Sequence, residues 1–222
     1  MDVNNETDLP LTANVNEIRA RHYLLKLAHE PDIKTFKCES VIFFQPVKCD
    51  NDSGSRLRDK HGEFECILDC CDMNIHDVKE AVLPGNYDQH QPLPKSPEFL
   101  NGCLHLSAAH GKDLHYTLDD WSVRVRKPGC VNSDEFPRAV YFKFSTRPTS
   151  RSVMWRSNAR GQPCVFTAAS NINNRGLFPC QEPPIAMADW RCVIVAEPGL
   201  TVLCTGDEDA TTTKASFSHL GN

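Results

Sequence analysis

The sequence predicts an all-β protein, an antiparallel β-sandwich or curved double sheet of about eight or more strands. Short apolar runs recur along the 222 residues, and several alternate apolar with polar side chains, which is typical of strands with one buried face. Glycine, proline and asparagine separate these runs, as expected of turns. Helical periodicity is almost absent, so strands should supply most of the core.

The first half of the chain contributes two consecutive predicted strands, at 22–27 and 36–47, both rich in apolar residues. Residues 48–62 carry charged and turn-forming residues without periodicity, which indicates a loop. A further strand is predicted at 63–68, and the segment 78–82 has a weaker strand pattern.

Residues 83–101 are rich in proline and glycine. Proline lacks the backbone donor that strands and helices need, so this composition resists regular structure. We therefore predict a long connection with one short helix near 95–110.

The second half shows clearer alternation. Residues 121–126 and 139–145 each place apolar side chains on one face of a strand. Two hairpins are predicted across turns that contain glycine and proline. They join 153–155 to 164–167, and 192–196 to 200–204.

The composition fits one soluble domain, with 24% charged residues and a net charge of −5. No run of basic residues is present, so no nucleic-acid partner is expected. No stretch approaches the length of a membrane span and no apolar leader begins the chain, so we expect no membrane association and a location in the cytoplasm or the nucleus. The eleven cysteines should mostly be reduced thiols.

Cysteine and histidine clusters raise the question of a metal site. Cys66, Cys70, Cys71 and His76 could supply four zinc ligands, but only one C-x₃-C pair fits the usual spacing. On a strand Cys66 and Cys70 share a face, where cysteine packs as a small hydrophobic residue. We favour core packing over zinc for this group.

Three histidines recur at a spacing of five, His105, His110 and His115. This spacing fans the rings apart on a helix, so we interpret them as solvated loop residues. The run that begins at Asp50 resembles the start of a calcium loop, but it lacks the glycine and glutamate that such a loop requires. Asp119 and Asp120 are interpreted as surface charges, and no hydrolase elbow, dinucleotide or nucleotide motif is present.

Cys180 lies in a proline-bounded stretch that could expose a reactive thiol. A catalytic cysteine needs a histidine base and an electropositive setting. Glu182 beside it should raise the pKa of the thiol instead of lowering it. Structural packing is therefore the favoured interpretation.

The stretch 162–184 resembles the segment of gluzincin zinc aminopeptidases in which an Ala-Arg pair leads into Phe-Pro-Cys, an acidic residue and a proline. The matching positions include Arg175, Phe178, Pro179, Cys180, Glu182 and Pro184. Similar stretches lie at 22–27, 68–71, 151–155 and 185–190. The resemblance extends over 16–206, which leaves a polar N-terminal lead at 1–15 and a divergent tail at 207–222, expected to be disordered.

The resemblance implies the saddle-shaped N-terminal β domain of that family, with the loop at 168–184 beside the catalytic cleft. It implies that Arg175, Pro179 and Pro184 fix the course of this loop, with Cys180 and Glu182 as further structural residues. The family lines the pocket for the first substrate residue or its free amine with Gln or Glu, where this chain has Ser170. A hydroxyl cannot make the charge-assisted contact that a carboxylate makes with an ammonium group.

Family members hydrolyse peptides with zinc held by H-E-x-x-H and a downstream glutamate. The only His-Glu pair here is His29-Glu30, followed by Pro31, and Ile33 stands where the second histidine would be. We therefore expect neither catalytic nor metal-binding residues in this chain, with zinc and peptide substrates belonging to the full enzyme. The resemblance implies a truncated or alternatively ended form, inert alone, whose partner is a catalytic domain. The alternative is a stand-alone intracellular interaction module with a protein partner.

Overall fold

A computed structural model describes residues 10–47, 62–85, 87, 94, 96–167 and 173–207. Within these residues the chain forms ten strands, one α-helix and two short 3₁₀ helices, at Pro31–Ile33 and Asn174–Gly176. The strands and the helix follow in the order β1 (Ile18–Glu30), β2 (Thr35–Pro46), β3 (Glu65–Asp69), β4 (Met73–Glu80), α1 (Pro97–His110), β5 (His115–Leu118), β6 (Ser122–Arg126), β7 (Ala139–Thr146), β8 (Val153–Ser157), β9 (Pro163–Thr167) and β10 (Asp189–Val195).

The strands form a five-stranded sheet, a three-stranded sheet and a two-stranded hairpin. Their orders are β10-β1-β2-β7-β4, β3-β6-β5 and β8-β9. All pairs are antiparallel except β1 with β10, which run parallel. The predicted all-β class with mainly antiparallel sheets is confirmed.

The first core lies between the two larger sheets. Side chains of the five-stranded sheet, such as Leu25, Ile42 and Phe142, pack with Leu68 and Val123 of the three-stranded sheet. All five are buried. Alternation along each strand turns these side chains to one face, which makes the two sheets the layers of a sandwich.

The second core lies on the opposite face of the five-stranded sheet, beneath α1. Phe99, Leu100, Cys103 and Leu104 of the helix pack on a cluster of sheet residues, Leu24, Val41, Phe43, Ala139 and Tyr141. The helix begins after Ser96, whose Oγ accepts a hydrogen bond from the Phe99 amide at 3.2 Å. This N-cap satisfies a donor that would otherwise lack a partner. The short helix predicted near 95–110 is confirmed.

The structure corrects the predicted hairpin between 192–196 and 200–204. β10 pairs with β1, with Cys192 opposite Leu25, and residues 200–204 form no strand. Leu203 in that segment is 91% exposed. Alternation in a sequence shows that a strand can form, but it does not show which distant strand it will pair with. The other predicted hairpin, β8 with β9, is confirmed.

Candidate functional site

Five of the residues singled out by the sequence lie in one irregular segment, residues 173–188, here called the proline segment: Arg175, Pro179, Cys180, Glu182 and Pro184. It begins with the 3₁₀ turn at Asn174–Gly176 and contains Pro179, Pro183 and Pro184. Cys180 forms an isolated bridge with the end of β3, because its amide donates to the Asp69 carbonyl at 3.1 Å and its carbonyl accepts from the Asp69 amide at 2.8 Å. The segment is therefore attached to the three-stranded sheet, although it is not itself a strand.

Arg175 is buried within the proline segment, with a side chain only 1% exposed. Its Nε donates to Glu182 Oε2 at 2.5 Å, and its backbone amide donates to Glu182 Oε1 at 3.0 Å. A carboxylate that bonds both the side chain and the backbone of one residue closes the segment into a compact loop. The two residues named from the sequence therefore form one buried ion pair.

Asp69 is a second buried carboxylate in the same place. Its Oδ1 lies 4.0 Å from Arg175 Nη2, and its Oδ2 accepts a hydrogen bond from the Glu182 amide at 3.0 Å. Two carboxylates and one guanidinium thus share a site in which every side chain is at most 1% exposed. Such a cluster depends on hydrogen bonds that offset the loss of hydration.

The proline segment also completes the unpaired edge of β1. The Gln181 side chain accepts a hydrogen bond from the Ala20 amide at 2.8 Å and donates one to the Ile18 carbonyl at 2.9 Å. These groups lie beyond the point, at His22, where pairing with β10 begins. The side-chain amide therefore takes the place of a peptide group of a neighbouring strand. The backbone amide of Gln181 donates a further hydrogen bond to the Tyr23 hydroxyl at 3.1 Å.

Cys180 is 3% exposed and faces the core between the two sheets. Burial raises the pKa of its thiol well above the ordinary value, and the charges of Glu182 and Asp69 raise it further. The predicted direction of the Glu182 effect is confirmed, although burial is the larger cause. A thiol in this setting is protonated and inert near neutral pH.

The remaining candidate residues are partly described. Pro179 is buried and Pro184 is exposed on the outer side of the segment. Ser170 lies outside the described residues, so its predicted place beside a substrate stays a prediction. The calcium-like run at Asp50 also lies outside them.

An exposed groove runs beside the C-terminal part of the proline segment. It encloses about 330 Å³ and is lined by Arg19, Ala20, Arg21, Gln45, Ile185, Met187, Ala188 and Asp189. Met187 is 89% exposed and Ile185 is 57% exposed. These two side chains give the groove an exposed apolar part beside the charged residues of its lining.

The cysteine and histidine groups do not gather into a metal centre. Cys66 and Cys70 are buried in the core between the sheets, as predicted. His105 and His110 are exposed on α1, which corrects their assignment to loops, and His115 is exposed on β5. Among the described residues, no three His, Cys, Asp or Glu side chains are close enough together to hold a metal ion. The donor set required for zinc is therefore not met in this part of the chain.

Asp119 and Asp120 are exposed, as predicted for surface charges. Asp119 sits in the turn between β5 and β6 and accepts hydrogen bonds from the amides of Trp121 and Ser122 at 2.9 and 2.7 Å. It therefore shapes a turn.

No helix in the described part of the chain is long and apolar enough to cross a membrane.

Sequence reasoning missed Asp69 and Gln181, which make much of the site. Asp69 ends an apolar run, where a charged residue commonly marks the exposed end of a strand. A signal was nevertheless present, because Cys70 and Cys71 continue beyond it and place the aspartate within a buried stretch. Gln181 carried no comparable signal.

Comparison with known proteins gives consistent results. A scan against models of known protein families finds no match. Human aminopeptidase O is 36% identical to the chain over 183 residues, which is 69% of this chain and 22% of that protein. The chain thus spans about a fifth of the length of the curated relatives it matches, which include the mouse and rat aminopeptidases O at 22% each.

Solved structures show the same fold. Leukotriene A4 hydrolase from Saccharomyces cerevisiae matches with a TM-score of 0.56 and 15% identity, over 87% of this chain and 26% of that chain. A mutant M1 zinc metallopeptidase from Deinococcus radiodurans, bound to a Tyr-Ser-Ala substrate, matches with a TM-score of 0.52 and 13% identity, over 90% of this chain and 39% of that chain. In both cases only part of the known structure is matched, so the likeness concerns one domain.

Proposed function

Because this chain is a homologue of aminopeptidase O with the fold of the N-terminal domains of M1 zinc aminopeptidases, we propose that it is the β domain that lines the substrate cleft of such an enzyme. In the full enzyme the reaction is removal of N-terminal residues from peptides. The observation that carries the proposal is the proline segment, whose matching residues form a fixed, buried loop with an exposed outer side.

The outer side of the proline segment is suited to form a wall. Arg175, Gln181 and Glu182 are buried and hold the backbone, whereas Pro184, Ile185 and Met187 face outward. A loop fixed from beneath presents its exposed side chains without reordering when a peptide arrives, which lowers the entropic cost of binding. A related metallopeptidase has been seen with a peptide substrate.

Zinc chemistry belongs to a part of the enzyme outside this chain. The sequence has no H-E-x-x-H motif, and the described residues offer no group of ligands that fits zinc. We therefore propose that the chain alone does not hydrolyse peptides and that its contribution is to bind and orient. Ser170 remains a proposed contact for the first substrate residue.

We propose a cytoplasmic location. The ten described cysteines are all free thiols, including deeply buried ones such as Cys66 and Cys103. Free thiols in this number are typical of a reducing compartment.

A second candidate function is a stand-alone interaction module. The observation that favours it is the exposed apolar surface formed by Ile185 and Met187 along the groove. In a module this surface would bind another protein, whereas in the cleft domain it would face the substrate cleft.

Two measurements test the proposal, and the second also distinguishes it from the interaction module. Metal analysis of the purified chain, with an assay on aminoacyl-arylamide substrates, should show neither stoichiometric zinc nor turnover. Finding both would overturn the proposal. Mixing the chain with the separately expressed remainder of human aminopeptidase O should give a stable complex, and failure to associate would favour the module.

A further inference from the structure

Asp69 connects two segments that are far apart in sequence, the proline segment and residues 10–15, here called the strap. We infer that Asp69 is a positioning residue, which couples the strap to the proline segment and so sets the course of the proposed cleft wall. The inference rests on the proposed function for its consequence, but the coupling itself is independent of it.

The two oxygens of the Asp69 carboxylate serve different segments. Oδ1 accepts hydrogen bonds from the Thr12 amide and the Thr12 hydroxyl, both at 2.8 Å, and from the Ala13 amide at 3.3 Å. Oδ2 accepts one from the Glu182 amide at 3.0 Å. All four donors point at one carboxylate that is completely buried. A carboxylate is required, because an asparagine would turn its NH₂ group toward donors on one of the two sides.

The strap is attached to the sandwich at further points. The Asn14 side chain accepts from the Ile67 amide and donates to the Glu65 carbonyl, each at 2.8 Å, along the open edge of β3. Arg175 Nη1 donates to the Pro10 carbonyl at 2.7 Å. The strap therefore occupies a defined place, and its contacts end on the charged groups that hold the proline segment.

The strap and the proline segment also share a small apolar contact. Ala13 and Val15 form a buried cluster with Ala186. Ala186 lies between Ile185 and Met187, the exposed side chains of the groove. Release of the strap would therefore loosen both ends of the proline segment, at Arg175 and at Ala186.

This coupling predicts that a change in the strap alters the proline segment, which contacts the other oxygen of Asp69. Thr12 donates to the Asp69 carboxylate, which also accepts a hydrogen bond from the Glu182 amide, so the carboxylate links Thr12 directly to the proline segment. Loss of the Thr12 hydroxyl leaves Asp69 with three donors, and a charged acceptor that loses a donor in a buried site is costly.

Hydrogen exchange of the whole 222-residue chain, followed by mass spectrometry, tests the inference. The variants are Asp69→Asn, the milder Thr12→Val, and Thr12→Ser as the conservative rescue. Asp119→Asn is the matched control, because Asp119 also accepts three hydrogen bonds from neighbouring donors but touches neither segment.

We expect Asp69→Asn to accelerate exchange in the strap and in the proline segment by about tenfold or more. Thr12→Val should accelerate exchange at 180–182 by about threefold, Thr12→Ser should restore it, and Asp119→Asn should change neither segment. Exchange in β2 and β7 should change less than in the two segments.

Two results would overturn the inference. One is equal acceleration throughout the chain in Asp69→Asn, which would make Asp69 a general stabiliser. The other is a Thr12→Val variant whose proline segment exchanges at the parent rate. Neither readout involves zinc, peptides or a catalytic domain, so failure here would leave the proposed function standing, and failure of the proposed function would leave the coupling standing.

Discussion

The central strands and the proline segment are both buried, yet they are held by opposite kinds of interaction. β2 and β7 bury apolar side chains on both faces, such as Ile42 and Phe142 toward one core and Phe43 and Tyr141 toward the other. The proline segment instead buries Arg175 and its neighbouring polar groups. Burial of apolar surface is non-directional, whereas hydrogen bonds between charged groups fix one geometry. A cleft wall benefits from hydrogen bonds between charged groups, because they hold its backbone in one position.

The largest predicted effect separates these two kinds of burial. Arg175→Met should destabilise the chain by about 3–5 kcal/mol, because it leaves two buried carboxylates without a cation. Urea unfolding measures it. Lys127→Met is the matched control, since Lys127 pairs with Glu80 at 3.1 Å on the surface and should cost about 1 kcal/mol or less.

A double variant distinguishes charge from lost packing. Arg175→Met combined with Glu182→Gln should be more stable than Arg175→Met alone, because one unpaired charge is removed. In the apolar core, by contrast, a double truncation should destabilise the chain at least as much as the two single truncations together. Equal or greater loss in the double variant would contradict the account of the proline segment.

His22 provides a pH test in the apolar region beneath α1. Its ring lies 6.3 Å from that of Phe43, and burial, with a smaller contribution from Arg191, lowers its pKa to about 4. Below about pH 6.5 the unfolded chain gains a proton that the folded chain does not, so stability falls as the pH decreases toward 4.

His22→Leu should remove this part of the acid sensitivity. Between pH 7.5 and pH 4.5 the free energy of unfolding should fall by about 2–3 kcal/mol less in the variant than in the parent. Urea unfolding at both pH values measures the difference. Carboxylates elsewhere titrate equally in both proteins and cancel in the difference. Identical losses of stability in parent and variant would show that His22 is protonated in the folded chain.

Gln181 tests whether a side chain replaces a missing strand. Gln181→Leu should cost about 1–3 kcal/mol, because the Ala20 amide and the Ile18 carbonyl lose their partners. Gln181→Glu is a useful companion, since it retains the acceptor for Ala20 but loses the donor to Ile18. Thermal unfolding should rank the parent first, and a Leu variant as stable as the parent would refute the assigned role.

The last prediction concerns the chemical reactivity of the thiols and requires no change in stability. Cys164 is exposed on β9, whereas Cys180 is buried and its thiol pKa is raised by burial. Alkylation of the native chain near neutral pH, followed by peptide mapping, should modify Cys164 well before Cys180. Preferential labelling of Cys180 would indicate that the proline segment opens frequently.

The contrast between the two regions also explains what the sequence could predict. β2 and β7 were predicted almost to the residue, because an apolar run or an alternating pattern reports burial locally. The parallel pairing of β10 was not, since it joins residues more than 160 positions apart, such as His22 and Asp189. A local pattern does not encode such a partner.

Within the site, prediction depended on the resemblance and not on physical pattern. Arg175 and Glu182 were named as loop residues from the family motif, but their direct ion pair was not foreseen. Asp69 and Gln181 contribute through hydrogen bonds to residues distant in sequence, such as Thr12 and Ala20. Polar residues in a sequence look alike whether they face water or a buried partner, so only the assembled fold distinguishes them.

The most direct test of the account is a chimera. The homologous part of human aminopeptidase O, 22% of that protein, is replaced by this chain, and kcat/KM is measured on aminoacyl-arylamide and short peptide substrates, with zinc content as the check of folding. If the chain is the cleft-lining domain, the chimera retains aminopeptidase activity, and Arg175→Met within it lowers that activity. A soluble, zinc-loaded chimera without activity, beside an active parent enzyme, would contradict the account.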